Sequence, residues 1–272
     1  MTHPPFRFGP ALLFCPADRP DRFAKALERA DAVILDLEDA VAPDAKADAR
    51  RAVAASALDP ERVIVRLNPA SSPEFAADVE MLAETPYRTV MLAKCEGTVD
   101  LVDLVDFEVV ALCETARGVL AAEQVAAIPN VVALMWGAED LVASLGGSSS
   151  RHDDGTYRGV ATHARARVQL AAAAHGIAAI DTVHLDIADL VGQSAEARDA
   201  AALGFAATAC IHPSQVDAVR EAYRPADDRL EWARAVLAEA SIQPGVFAFR
   251  GGMVDAPVLR QAEAIVRRRS RD

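Results

Sequence analysis

The chain has 272 residues, 52% of them hydrophobic and 25% charged, with 28 lysines and arginines against 40 aspartates and glutamates for a formal net charge of −12. That is apolar material for one large core or two smaller ones, and the composition excludes a disordered or collagen-like polymer. The acid excess argues against nucleic acid or an anionic membrane as a partner, and no apolar run approaches the ~18–20 residues of a membrane span.

The segment from Met1 to Pro10, with three prolines and Arg7, lacks the apolar stretch of a signal peptide, so a cytoplasmic protein is expected. From there, short apolar runs alternate with longer alanine-rich stretches of helical period. In order, the runs are Ala11–Cys15, Ala32–Leu37, Arg62–Leu67, Arg88–Ala93, Glu108–Cys113, Val131–Trp136, Ala178–Asp181 and Ala206–Ile211. Most are almost continuously apolar, as strands covered on both faces should be. Pro20–Ala30, Pro43–Leu58, Pro73–Glu84 and Gly118–Ile128 are predicted helices. Pro20, Pro43 and Pro73 sit near helix starts, where a missing N–H is tolerated, and Ser214 is the expected N-cap of a later helix.

Eight such units in 272 residues fit the arithmetic of an α/β fold, the (β/α)8 TIM barrel. A doubly wound open sheet often carries a glycine-rich phosphate turn after its first strand; here that turn is Cys15-Pro16-Ala17-Asp18-Arg19-Pro20. With no G-x-G-x-x-G and no Walker motif, nucleotide-dependent hydride or phosphoryl transfer has no support. The polar stretch Gly146–Gly155 interrupts the rhythm, as a lid or a plain surface loop. After the eighth run come a helix around Leu230–Ala240, a short Phe247–Phe249 run and a last helix, Pro257–Arg269. The expected organisation is a barrel core over 1–222 and a C-terminal helical extension over 223–272, packing on the barrel or reaching a neighbouring subunit.

In a barrel, the C-terminal strand ends form the active face. Here they read Asp36-Leu37-Glu38-Asp39, Arg66-Leu67-Asn68, Lys94, Glu114, Gly137-Ala138-Glu139-Asp140, Asp181 and His212. Carboxylates crowded in a partly dry site repel one another unless a cation joins them. Two arrangements fit: a divalent-cation site on Glu114 and Asp140, from neighbouring strands, or a structural ion-pair network with Arg66, Lys94 and Arg117. Oxygen donors without a Cys/His cluster select Mg²⁺ or Mn²⁺ over zinc. Asp36, Glu38 and Asp39 are read as partners of the metal's waters. Cys15, Cys95, Cys113 and Cys210 show no C-x-x-C spacing and read as buried hydrophobes. His212 is read as a brace for the eighth strand, His163 and His175 as surface residues, Trp136 as core packing and Arg267-Arg268-Arg269 as a solvated helix end.

The segments Leu13-Phe14-Cys15-Pro16-Ala17-Asp18-Arg19-Pro20-Asp21-Arg22-Phe23, Val33-Ile34-Leu35-Asp36-Leu37-Glu38-Asp39-Ala40-Val41 and Val65-Arg66-Leu67-Asn68 are recognisable. So are Glu114-Thr115-Ala116-Arg117-Gly118, Trp136-Gly137-Ala138-Glu139-Asp140-Leu141, Cys210-Ile211-His212-Pro213-Ser214-Gln215 and Gly252-Met253-Val254-Asp255. On these motifs the chain resembles the citrate lyase β-subunit-like family of the HpcH/HpaI aldolase superfamily. The resemblance implies a Mg²⁺-dependent lyase, with Mn²⁺ as the alternative, that cleaves or forms a bond between an acetyl thioester and a 2-oxo acid. It implies CoA as part of the substrate, and a homo-oligomer, a trimer by preference. It implies that Glu114 and Asp140 hold the metal, that Arg66 lies beside the reacting carbonyls, and that Asp255 is catalytic and delivered from a neighbouring subunit. It places Arg19, Asp21, Arg22 and Lys25 at the CoA phosphates. The backbone at Ala138 and Glu139, where a helix begins, is expected to hold the substrate carboxylate. Lys94 follows Ala93 where many relatives carry proline. The substrate is expected to be a short 3-hydroxy-dicarboxylyl-CoA such as citramalyl-CoA or malyl-CoA. The alternatives are an acyl-carrier thioester, as in a citrate lyase complex, and a non-catalytic CoA-ester-binding module.

Overall fold

The computed structural model describes residues 3–243 and 245–269; Met1 and Thr2 of the N-terminal stretch and the side chain of Arg269 lie outside the described residues. Eight parallel strands close into a barrel in sequence order. They are β1 (Ala11–Pro16), β2 (Ala32–Asp36), β3 (Val63–Leu67), β4 (Thr89–Leu92), β5 (Glu108–Cys113), β6 (Val131–Trp136), β7 (Ala178–Asp181) and β8 (Ala207–Cys210). Closure through the β1–β8 pair leaves the barrel itself with no free edge. Between the strands run α1 (Pro20–Arg29), α2 (Lys46–Ala54), α3 (Phe75–Ala83), α4 (Ala116–Ala126), α5 (Ala138–Ser144), α6 (Gly159–His175) and α7 (Leu190–Leu203), and α8 (Ser214–Tyr223) follows β8. The connection from β4 to β5 contains a 3₁₀ segment, Thr98–Leu104.

The interior is a packed core. Leu12, Ile34, Ile64, Met91, Val110, Leu112, Val132 and Ile180 form one apolar cluster, joined by Phe6 and Phe8 from the segment preceding β1. Side chains two apart on a strand share a face. The residues two beyond Ile34, Ile64 and Leu112 are Asp36, Arg66 and Glu114, so all three continue interior rows to the C-terminal mouth. Asp181, counted with the acidic rim from the sequence, is one residue beyond Ile180. It therefore faces the opposite way, toward α6, and this corrects the expectation.

Two local expectations also change. Pro43 opens a 3₁₀ turn, Pro43–Ala45, and α2 begins only at Lys46 and ends at Ala54. Ser214 does not cap: it is the first residue of α8, and its hydroxyl pairs with Nδ1 of His212 at 2.7 Å.

The chain forms two compact units, residues Met1–Val219 and Arg220–Asp272. In the second, α9 (Asp227–Ala240) and α10 (Ala256–Arg269) pack together with a hairpin of β9 (Phe247–Phe249) and β10 (Gly252–Val254). Ala233, Val236, Phe247, Val254 and Ala262 are its buried core. The two-residue turn places Arg250 at φ 47° and Gly251 at φ 82°, the left-handed pair a tight hairpin requires.

Candidate active site

At the mouth, the register pairs Asp36 of β2 with Arg66 of β3. Arg66 Nε donates to Asp36 Oδ1 at 2.7 Å and Nη2 to Oδ2 at 2.6 Å, a bidentate clamp. Arg66 Nη1 lies 3.1 Å from Glu38 Oε2, and its Cζ stands 4.8 Å from the centre of the Phe14 ring. Burial would disfavour the charge, but Asp36, Glu38 and Glu114 outweigh it and raise the Arg66 pKa, so the guanidinium stays charged. Asp36 also accepts from the backbone N–H of Glu38 at 2.9 Å. Lys46 Nζ donates to the carbonyls of Leu37 and Glu38 and to Asn68 Oδ1, which fixes the backbone beyond β2.

Two strands further round the barrel, Glu114, just past β5, is buried at 3% exposure. Its Oε1 accepts from the backbone N–H of Lys94 at 3.1 Å. Burial, with the Asp140 charge adding to it, pushes its pKa from 4.5 up to about 8, against the pull of Lys94 and Arg66. Gly137 makes room for it: a Cβ there would lie 2.7 Å from Glu114 Oε2. Asp140, in the first turn of α5, reaches the same place, with Oδ1 3.3 Å from Lys94 Nζ. Lys94 Nζ also lies 2.5 Å from Glu38 Oε1, 3.0 Å from Asp39 Oδ2 and 3.9 Å from Glu114 Oε1.

The mouth thus gathers Asp36, Glu38, Asp39, Glu114 and Asp140 around two basic side chains, Arg66 and Lys94. Asp36 and Glu38 are engaged by those cations, where the sequence had suggested partners of metal-bound water. Among the described residues no three His, Cys, Asp or Glu side chains form a ready metal cage. Two carboxylates meeting at one ammonium, Glu114 buried and Asp140 from the first turn of α5, are nonetheless the donor set of a hard cation that keeps several waters. The residues fit magnesium on that ground.

Two cavities flank this centre. One, of about 840 Å³, is lined by Phe14, Cys15, Arg22, Lys25, His212 and Ser214 among others; Arg19 and Asp21 do not line it. His212 is exposed there. The brace of β8 is the fully buried Gln215, whose Oε1 accepts from the N–H groups of Ile211 and His212 and whose Nε2 donates to the His184 carbonyl. The other cavity, of about 770 Å³, lies against β7, α6 and α7 and is lined by Glu139, Arg151, Tyr157, Arg165, Asp181, His184 and Glu196 among others.

Here the sequence reading missed a network. Trp136 Nε1 donates to Asp181 at 2.6 Å, Arg165 clamps Asp181, and Arg151 pairs with Glu196, which also meets His184 Nδ1 at 3.0 Å. Ser150 donates to Glu139 at 2.5 Å, so the 146–155 stretch is pinned beside α5. Partners 11 to 45 residues apart leave no spacing signal. Asp255 lies in the second unit, where its Oδ1 accepts from the Val258 N–H at 3.2 Å and caps α10. The four cysteines are buried and not joined in disulfides, as expected.

The model for HpcH/HpaI aldolase/citrate lyase matches residues 11–213. The chain is 56% identical over 260 residues to the citrate lyase subunit beta-like protein of Mycobacterium tuberculosis, covering 96% of this chain and 95% of that protein. It is 30% identical over 290 residues to the mitochondrial citramalyl-CoA lyase of Mus musculus, covering 94% and 84%. Its structure is similar to that of CitE from Mycobacterium tuberculosis in complex with magnesium, acetoacetate and coenzyme A, with a TM-score of 0.92, 55% identity and coverage of 97% and 98%.

Proposed function

The chain belongs to the HpcH/HpaI aldolase/citrate lyase family, and from that premise we propose that it is a magnesium-dependent carbon–carbon lyase. Its substrate would be a short 3-hydroxy-dicarboxylyl-CoA, citramalyl-CoA or malyl-CoA, split into acetyl-CoA and a 2-oxo acid or formed from them. The observation that carries the reading is the pair Glu114 and Asp140 at the barrel mouth beside a clamped Arg66.

Cleavage moves a proton off the 3-hydroxyl, breaks the bond between C2 and C3, and returns a proton to the acetyl carbon. Negative charge develops on the thioester oxygen while the substrate carboxylate keeps its own. Arg66 meets that charge with a guanidinium that does not lose its proton and that Asp36 holds in one orientation. Glu114 and Asp140 would hold the magnesium, which supplies Lewis acidity at the reacting oxygens. The backbone N–H groups at Ala138 and Glu139 would take the carboxylate. Asp255, from a neighbouring subunit, would move the proton at the acetyl carbon. Arg22 and Lys25, with Arg19 and Asp21 beside them, would receive the CoA phosphates, and the cavity they border supports this. We read the protein as a cytoplasmic homo-oligomer, a trimer, which sedimentation would measure.

The test is acetyl-CoA release from citramalyl-CoA and malyl-CoA with Mg²⁺ and with EDTA. Glu114→Ala and Asp140→Ala are each expected to abolish the Mg²⁺-dependent release; near-full activity in both would defeat the reading. The similarity to a citrate lyase subunit beta-like protein favours a second reading, an acyl-carrier thioester as substrate. Activity of the isolated chain on free CoA thioesters decides against it.

A further inference from the structure

Lys94 has an unusual position. It sits just past β4 with φ at 49°, a left-handed conformation uncommon for a residue with a Cβ and typical of places where the surroundings dictate the backbone. The surroundings here are the metal-holding pair: the Lys94 N–H is taken by Glu114 Oε1. Its ammonium lies within 4.0 Å of four carboxylates in graded order, Glu38 at 2.5 Å, Asp39 at 3.0 Å, Asp140 at 3.3 Å and Glu114 at 3.9 Å. Arg66, the other cation of the mouth, pairs with Asp36 and Glu38. Among the described residues, Lys94 supplies the ion pairs that reach Glu114 and Asp140.

We propose that Lys94 is the built-in counter-cation of the Glu114–Asp140 pair, set against the divalent ion for the same two carboxylates, and that Glu38 draws its ammonium aside so that the ion can enter. This rests on the function proposed above. Two positive groups cannot share two carboxylates without repulsion, so the lysine lowers metal affinity while offsetting the negative charge of the pair when no metal is bound. Glu38, the nearest of the four acids, then acts on the metal through the lysine, as a positioning residue. This differs from a general acidic field, in which each carboxylate would attract the metal independently.

The experiment is a Mn²⁺ titration, followed by the electron-spin signal of free Mn²⁺, with melting curves in parallel. It uses the full chain, Lys94→Asn, Glu38→Gln and their combination. Asparagine tolerates the left-handed backbone, and Lys94→Gln is the second neutral variant should the first fold poorly. Lys94→Asn is expected to bind Mn²⁺ about tenfold tighter and to melt lower than the parent in EDTA but level with it at saturating Mn²⁺. Glu38→Gln is expected to weaken Mn²⁺ binding severalfold in the parent and to have no effect in the Lys94→Asn background. Unchanged or weaker binding by both neutral variants overturns the proposal, as does an equal loss from Glu38→Gln in both backgrounds. Glu114→Gln separates the levels: if it binds Mn²⁺ as well as the parent, the metal assignment falls and takes the proposal with it.

Discussion

At Glu114, burial and the Asp140 charge act in the same direction. The Glu114 pKa stands at about 8 against an ordinary 4.5, so the folded state holds that proton more tightly than the unfolded chain. The stability this contributes is complete below about 4.5 and is lost as pH rises through about 8. In EDTA, the melting temperature should therefore fall between pH 5 and pH 8, and Glu114→Gln should flatten the slope; a parent and variant with parallel profiles would contradict the assignment. A divalent ion needs the ionised carboxylate, so Mn²⁺ affinity should climb with pH and level off above about 8. Asp36 makes a different prediction. It is 1% exposed and holds a largely buried guanidinium by two bonds. Asp36→Asn breaks a buried pair from one side and should cost about 3 kcal/mol in a denaturant melt, with loss of activity.

At the scale of elements, the site depends on how tightly β5, β6 and their following helices meet. Gly137→Ala would push a Cβ to 2.7 Å from Glu114 Oε2. It should reduce Mg²⁺-dependent turnover at least about tenfold with the secondary structure retained by circular dichroism; unchanged turnover would show that Glu114 need not sit where it does. Thr115 caps α4 by accepting from the Gly118 N–H at 3.0 Å, and Thr115→Ala should cost about 1 kcal/mol. Much of this level could be read from the sequence. The strands are continuous apolar runs, a pattern that burial on both faces imposes, with Arg66 and Glu114 at strand ends and Asp140 in the helix turn after β6. The errors arise where chain order carries no directional information. Asp181 sits at a strand end like Glu114, but its parity relative to Ile180 turns it toward Arg165. Lys46, Gln215 and the Arg151–Glu196–His184 group act through long-range bonds to carbonyls and carboxylates, which no periodicity announces. The pull of Lys94 and Arg66 on Glu38 likewise depends on three strand ends meeting in space.

Taken whole, the molecule forms two compact units, and the proposed chemistry draws on residues of both. Arg66, Lys94, Glu114 and Asp140 all belong to the first, while Asp255 belongs to the second, at the start of α10. Asp255→Asn preserves a capping side chain and removes the acid. It should leave Mn²⁺ affinity unchanged and lower turnover by about 10²–10⁴-fold; a parallel loss of both would mean that the two functions are not separable. The decisive property of the barrel mouth is where it places the metal. A crystal soaked in Mn²⁺ and a 2-oxo acid, measured at the manganese edge, should show an anomalous peak within bonding distance of the Glu114 and Asp140 carboxylates. A peak bonded to other side chains, or both carboxylates turned away from it, would contradict the account.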